Sequence, residues 1–69
     1  MRETMQRYWN EIRKGDVVVR EGQEDATVVS TDVRQSVNVV ALDNGEELRV
    51  WRRGPGSVVT VEALGEVGA

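Results

Sequence analysis

The chain contains no cysteine and no histidine. Disulfide staples, thiolate sites and imidazole ligation are therefore excluded, and only carboxylate sites for hard cations remain open. The lack of histidine also removes the usual general base, so ordinary Ser and Thr hydroxyls have nothing to activate them. Paired carboxylates remain as an acid and base, but a chain of 69 residues offers little room for a substrate cleft. No enzyme and no cofactor is expected. Phenylalanine is missing too, so the aromatics are Tyr8, Trp9 and Trp51 alone. Proline occurs once, at Pro55, and lysine once, at Lys14. No apolar run exceeds four residues, which argues against a membrane partner held by a spanning helix. The stretch Met1-Arg2-Glu3-Thr4-Met5-Gln6-Arg7 has no apolar core, so it predicts no secretory signal. Together with the absent cysteine this fits a cytoplasmic location.

Charge is the next constraint. Nine basic residues against twelve acidic ones give a net charge of −3. Non-specific nucleic-acid binding needs a basic footprint, so any such activity must rest on a local patch that opposes the total. Eight of the nine basic residues are Arg, and Val occurs fourteen times, a usage that suggests a GC-rich coding sequence such as that of an actinobacterium or its phage. One domain is expected. A chain this short buries only about 60% of its unfolded surface, so its core is small.

Met5, Trp9 and Ile12 recur at spacings of four and three, which predicts a short helix over residues 3–13 with one apolar face. Thr4 would cap it and Gly15 would stop it. An isolated helix of this length is marginal, so residues 1–14 are expected to pack on the domain that follows. From Gly15 onward the chain is Val-rich and punctuated by polar turns. Five strands are predicted, Asp16 to Arg20, Ala26 to Thr31, Ser36 to Leu42, Glu46 to Arg53 and Ser57 to Ala63. Gly54-Pro55-Gly56 ends the fourth, because Pro has no ladder donor. Residues 65–69 read as a flexible tail. Five short strands in about fifty residues predict a mainly β domain, a small barrel whose closure hides unpaired edges.

Asp43-Asn44-Gly45 is the strongest local signal, and two registers are open there. A two-residue turn groups Val37, Val39 and Ala41 with Leu48 and Val50. A three-residue turn with Gly45 in a bulge groups Asn38, Val40 and Leu42 with them instead. The second is favoured because it buries Leu42 in place of Ala41. The expected core is then Val17, Val19, Ala26, Val28, Val40, Leu42, Leu48, Val50, Val59 and Val61, with Leu64 closing one end and no aromatic residue inside.

Residues 15–64 now resemble a Tudor or KOW-type SH3-like barrel. Gly15-Asp16-Val17-Val18-Val19 is similar to the Gly-Asp-x-Val-x-Val opening of these barrels, and Ala26-Thr27-Val28-Val29-Ser30 to the second Tudor strand. Val40-Ala41-Leu42-Asp43-Asn44-Gly45-Glu46 resembles their strand followed by an Asp-Asn-Gly turn, and Val58-Val59-Thr60-Val61 their closing strand. The resemblance implies a five-stranded SH3-like, Tudor-like fold behind a short N-terminal α-helix. Gly22 matches the first loop glycine of KOW segments, whereas Gln23-Glu24-Asp25 is acidic and the Lys-Gly pair is missing. The aromatic cage of methyl-lysine readers is not matched either. A minor resemblance is to Sm-like RNA-binding rings, through Val-x-Val-x-x-Leu-x-Asn-Gly from Val37 to Gly45.

Either register sends Arg49, Trp51 and Arg53 to one face of the fourth strand, where Val37 and Val39 of the third strand are expected to join them, and Arg52 adds charge nearby. Trp and Arg are enriched at binding hot spots. This group is the expected partner site for a protein, with nucleic acid as the alternative because the same residues can stack on bases and grip phosphates. Self-association through Val-rich strands is a third reading. Against all of these stands a plainer role for Trp51, covered by Met5, Trp9 and Ile12 as a satellite core. Glu21, Glu24 and Asp25 read as a solvated loop, without the ligand spacing of a calcium loop.

Overall fold

The computed structural model describes residues 3–63. The predicted end-closing Leu64 and the 65–69 tail lie outside that range. The described chain contains six strands and no helix: β1 (Thr4–Tyr8), β2 (Val17–Val18), β3 (Ala26–Arg34), β4 (Val37–Leu42), β5 (Glu47–Trp51) and β6 (Val58–Glu62). They form one antiparallel sheet in the order β1-β6-β2-β3-β4-β5. The domain is mainly β, as expected, but the sheet has six strands rather than five. Among the described residues its terminal strands, β1 and β5, do not pair with each other.

The predicted N-terminal helix is not formed. Residues 4–8 pair instead with β6, Met5 opposite Val61 and Arg7 opposite Val59. The physical reason is an ambiguity of period. Met5 and Trp9 fit a helical spacing of four, but they also fit strand alternation with Arg7 between them. The alternation wins because pairing with β6 satisfies the backbone of both segments, whereas a short helix gains little by itself. Arg7 sits on the half-buried side, its Nε 3.6 Å from Asp16 Oδ2. After β1 the chain makes two turns. Tyr8 N donates to Glu11 Oε1 at 2.9 Å and Glu11 N donates to the Tyr8 carbonyl at 2.8 Å. Arg13 N donates to Asp16 Oδ2 at 2.9 Å, and Gly15 adopts φ +97° in the second turn. Between them Trp9 and Ile12 both point into the core.

β3 is nine residues long and joins the two halves of the sheet. Ala26 and Thr27 pair with β2, and from Val28 onward the partner is β4. The register shifts between Val28 and Ser30, so Val29 is an extra residue in a bulge. A bulge bends the strand and raises its twist. That bend lets one cluster gather Val18, Ala26 and Val61 from one half of the sheet with Val40, Leu42 and Val50 from the other.

The hairpin at Asn44-Gly45 takes the favoured register. Val40 lies opposite Leu48 and Asn38 opposite Val50. Leu42 N donates to the Glu46 carbonyl at 2.9 Å, and Gly45 sits at φ +90° in the bulge position. Asn38, Val40 and Leu42 are accordingly buried. The expected core changes in several places: Leu48 and Val59 are only half-buried against it, and Ile12 joins it. Val18 is buried in place of Val17 and Val19, because it is the β2 residue opposite both Ala26 and Val61. Trp9, 8% exposed, supplies the aromatic ring that the expected core lacked.

Two side-chain bonds draw the distant strands together. Asn38 Nδ2 donates to the Trp9 carbonyl at 2.7 Å, inside the core. Tyr8 Oη donates to the Arg52 carbonyl at 2.9 Å, linking the end of β1 to the end of β5.

Candidate functional site

The outer face of β3, β4 and β5 is a grid set by register. One tier runs Arg34, Val37, Trp51; the next runs Asp32, Val39, Arg49; the third runs Ser30, Ala41, Glu47. Directly opposed residues in adjacent strands place their side chains on the same side of the sheet. Val37 and Val39 therefore share a face with Trp51 and Arg49, as the site requires. The bulge register that buries Asn38 is compatible with this, because the alternate residues of β4 must then face outward. Val37, Val39 and Ala41 are half-buried and form a low apolar strip between charged borders.

Trp51 is 51% exposed. The segment expected to cover it has gone elsewhere: Met5 packs against the core with Trp9 and Ile12. The plainer reading, in which Trp51 completes a satellite core, is thus overturned. The two tryptophans have opposite roles, Trp9 as the interior ring and Trp51 as the surface one.

Arg52 and Arg53 follow directly after β5 and are exposed. The main chain of Arg52 is fixed, its N donating to the Ser36 carbonyl at 2.7 Å and its carbonyl accepting from Tyr8 Oη. Its guanidinium is not. Among the described residues no carboxylate pairs with Arg49, Arg52 or Arg53. Arg7, Arg20 and Arg34 are each paired, with Asp16, Glu46 and Asp32. Three unpaired cations thus stand on or just after β5, although the whole chain is acidic; Arg13 and Lys14, equally without a carboxylate partner among the described residues, lie apart in the turn before β2. Ser36, Trp51, Arg52 and Arg53 line an open depression of about 240 Å³ there. A broader one of about 450 Å³ lies over Asp32, Val39, Glu47 and Arg49.

Three contributors escaped the sequence reading. Tyr8, assigned to a helix, is a strand residue that anchors the Arg52 backbone. Ser36 reaches the site through the turn that joins β3 to β4. Arg34 lies opposite Val37 but is held to Asp32 at 2.9 Å. The position of Arg34 follows from the bulge at Val29, which no local motif announces.

At the far end of β5, Glu46 accepts from Arg20 Nη2 at 2.8 Å and from Asn44 Nδ2 at 3.0 Å. Those two bonds, Arg20 first, hold its carboxyl below the ordinary value. Glu21, Glu24 and Asp25 are exposed in the β2–β3 connection. Among the described residues no group of acidic side chains is placed to hold a metal ion, and no helix is long and apolar enough to cross a membrane. No family model, no curated protein and no solved structure matches this chain.

Proposed function

We propose that the chain is a small, non-enzymatic binding module that recognises a protein partner through the outer face of β4 and β5. One observation carries this reading. A half-exposed Trp51 stands beside Arg49, Arg52 and Arg53, whose guanidinium groups have no carboxylate partner among the described residues. Trp and Arg are the residue types that most often anchor interfaces, and here they stand side by side on one exposed face. Val37 and Val39 extend the contact as a half-buried strip. The fold reading that goes with it is an SH3-like small barrel in a cytoplasmic accessory protein of a bacterium or phage. Five antiparallel strands curl round one core, and the last, β6, returns beside β2. β1 is then an added strand on β6.

The experiment is affinity capture with the wild type and with Trp51→Ala/Arg53→Ala, after amide spectra have established that both are folded. A protein retained by the wild type and lost by the variant is the expected result. Equal capture by both refutes the site.

The same arginine cluster favours one second reading, a nucleic-acid-binding accessory factor. Three arginines within five residues form the local basic patch that an acidic protein would need. Titration of the labelled protein with short single- and double-stranded nucleic acids at low salt tests it. Shifts confined to Arg49, Trp51, Arg52 and Arg53 that reverse with salt put this reading first. An unchanged spectrum removes it.

A further inference from the structure

β5 is the last strand of the sheet, and among the described residues nothing pairs with its outer edge. Two main-chain bonds fix which groups that edge presents. Leu42 N donates to the Glu46 carbonyl, and Arg52 N donates to the Ser36 carbonyl. Positions 46, 48, 50 and 52 therefore turn toward β4. Glu47, Arg49 and Trp51 direct their N–H and C=O groups outward. Such a row is a template for another strand unless something blunts it. No proline or bulge does so along Glu47–Trp51.

The charge of this segment is divided along its length. Asp43, Glu46 and Glu47 precede Leu48; Arg49, Arg52 and Arg53 follow it. A segment that is acidic before its centre and basic after it complements its own reverse.

We propose that β5 pairs antiparallel with β5 of a second copy of this chain, about a twofold axis at Leu48. Glu47 then lies opposite Arg49 of the second copy, and Arg49 opposite its Glu47. Both residues point their main-chain groups outward, so each of these pairs exchanges both ladder bonds. Asp43 falls opposite Arg53. Trp51 falls opposite Gly45, where no side chain competes for the space above the turn. The two Leu48 side chains, half-buried in the monomer, meet on the inner face at the axis. The pairing is isologous and closes, so it makes a dimer and not a fibre.

The alternatives are worse on the same grounds. An axis at Arg49 sets that cation against itself. An axis at Val50 places Glu47 opposite Arg53, beyond the end of the strand, and Arg49 opposite Trp51, so no charge pair is left within β5. This inference does not depend on the binding module proposed above. Glu47 lies outside the Trp51 and Arg53 site, so substitutions there separate the two.

The test is sedimentation equilibrium of the full chain from about 10 µM to about 1 mM, with mass and amide exchange as readouts. The wild type is expected to approach twice the monomer mass, with the Glu47, Arg49 and Trp51 amides slowing as concentration rises. Glu47→Arg and Arg49→Glu each oppose like charges at both pairs, and each raises the dimer dissociation constant about tenfold or more. The double variant Glu47→Arg/Arg49→Glu restores opposite charges and regains the dimer, which also shows that the singles were not simply misfolded. A monomer throughout the range, unchanged association in both single variants, or a double variant that does not recover overturns the proposal.

Discussion

Asn38 is fully buried and donates from Nδ2 to the carbonyl of Trp9 at 2.7 Å. This bond ties the turn after β1 to the start of β4, strands at nearly opposite ends of the sheet order. Replacing Asn38 by Ala removes the donor and leaves a carbonyl in the interior. A buried acceptor stripped of its partner costs about 1–3 kcal/mol. Taking about 2 kcal/mol, the loss is a large share of the roughly 3–5 kcal/mol that a core of this size supplies. The melting temperature should fall by roughly 10 °C. Asn38→Asp is the sharper variant, because a carboxylate would face the Trp9 oxygen with no proton to donate. Burial then raises the folded-state pKa above the ordinary value near 3.9. The protonated acid can donate to Trp9, so stability relative to the wild type is retained below about pH 4. It falls by about 1.4 kcal/mol per pH unit as the pH climbs toward the folded pKa. Urea titrations at several pH values, followed by tryptophan emission, measure both effects. An Asn38→Ala variant within about 0.5 kcal/mol of the wild type, or an Asn38→Asp variant whose deficit does not change with pH, refutes the reasoning.

Trp9→Ala should cost about 3–5 kcal/mol and leave the domain largely unfolded at room temperature; circular dichroism shows it directly. Trp51→Ala at an exposed position should change stability by less than about 1 kcal/mol in the same urea titration. Gly45→Ala should cost about 1–2 kcal/mol through backbone conformation alone, since Gly45 has φ +90° and a Cβ there meets nothing within 4 Å; a shift in urea midpoint with an unchanged core spectrum checks it. The Glu46 carboxyl is held below its ordinary 4.5 by Arg20 and then Asn44. Its contribution is therefore present above that pH and lost as the pH falls through the lowered value. Glu46→Gln should flatten that part of the acid unfolding curve.

How much of this was legible in the sequence depends on where polar residues fixed the parity of a strand. In the β4–β5 hairpin they did. Asn44-Gly45 limited the turn to two lengths, and the size of Leu42 against Ala41 chose between them. The outward set of Val37, Val39, Arg49 and Trp51 then followed. In β2 the run Val17-Val18-Val19 carries no polar residue to mark a side, so burial of Val18 was visible only once Ala26 and Val61 were seen beside it. The N-terminus failed for a related reason. Met5, Trp9 and Ile12 satisfy a helical period, and Trp9 and Ile12 do share one destination. They reach it from a strand end and a turn, with Arg7 occupying an inward position that a helix would have sent to water. A charged residue in the gap of an alternating pattern is weak evidence until its partner, here Asp16, is known. The exposure of Trp51 was open for the same reason, because it depended on where the N-terminal segment went.

That segment also explains why β5 matters. In the order β1-β6-β2-β3-β4-β5, the strand β1 covers an edge of β6 that the five-stranded arrangement would have left bare or closed on β5. Tyr8 and Trp9 then reach across through two hydrogen bonds, to Arg52 and Asn38, and through the Trp9 ring in the core. They fix the end of β5 without pairing along it. The result is a strand with an anchored C-terminal end, a buried inner face at Val50, a free outer edge among the described residues, and a surface holding Trp51 and the unpaired arginines. A substitution that lets the chain from Tyr8 onward pair along β5, for example by lengthening β1 through the Trp9–Glu11 turn, would close the edge. It should abolish association through Glu47 and Arg49 while leaving the ring of Trp51 in water, and the two readouts would then part.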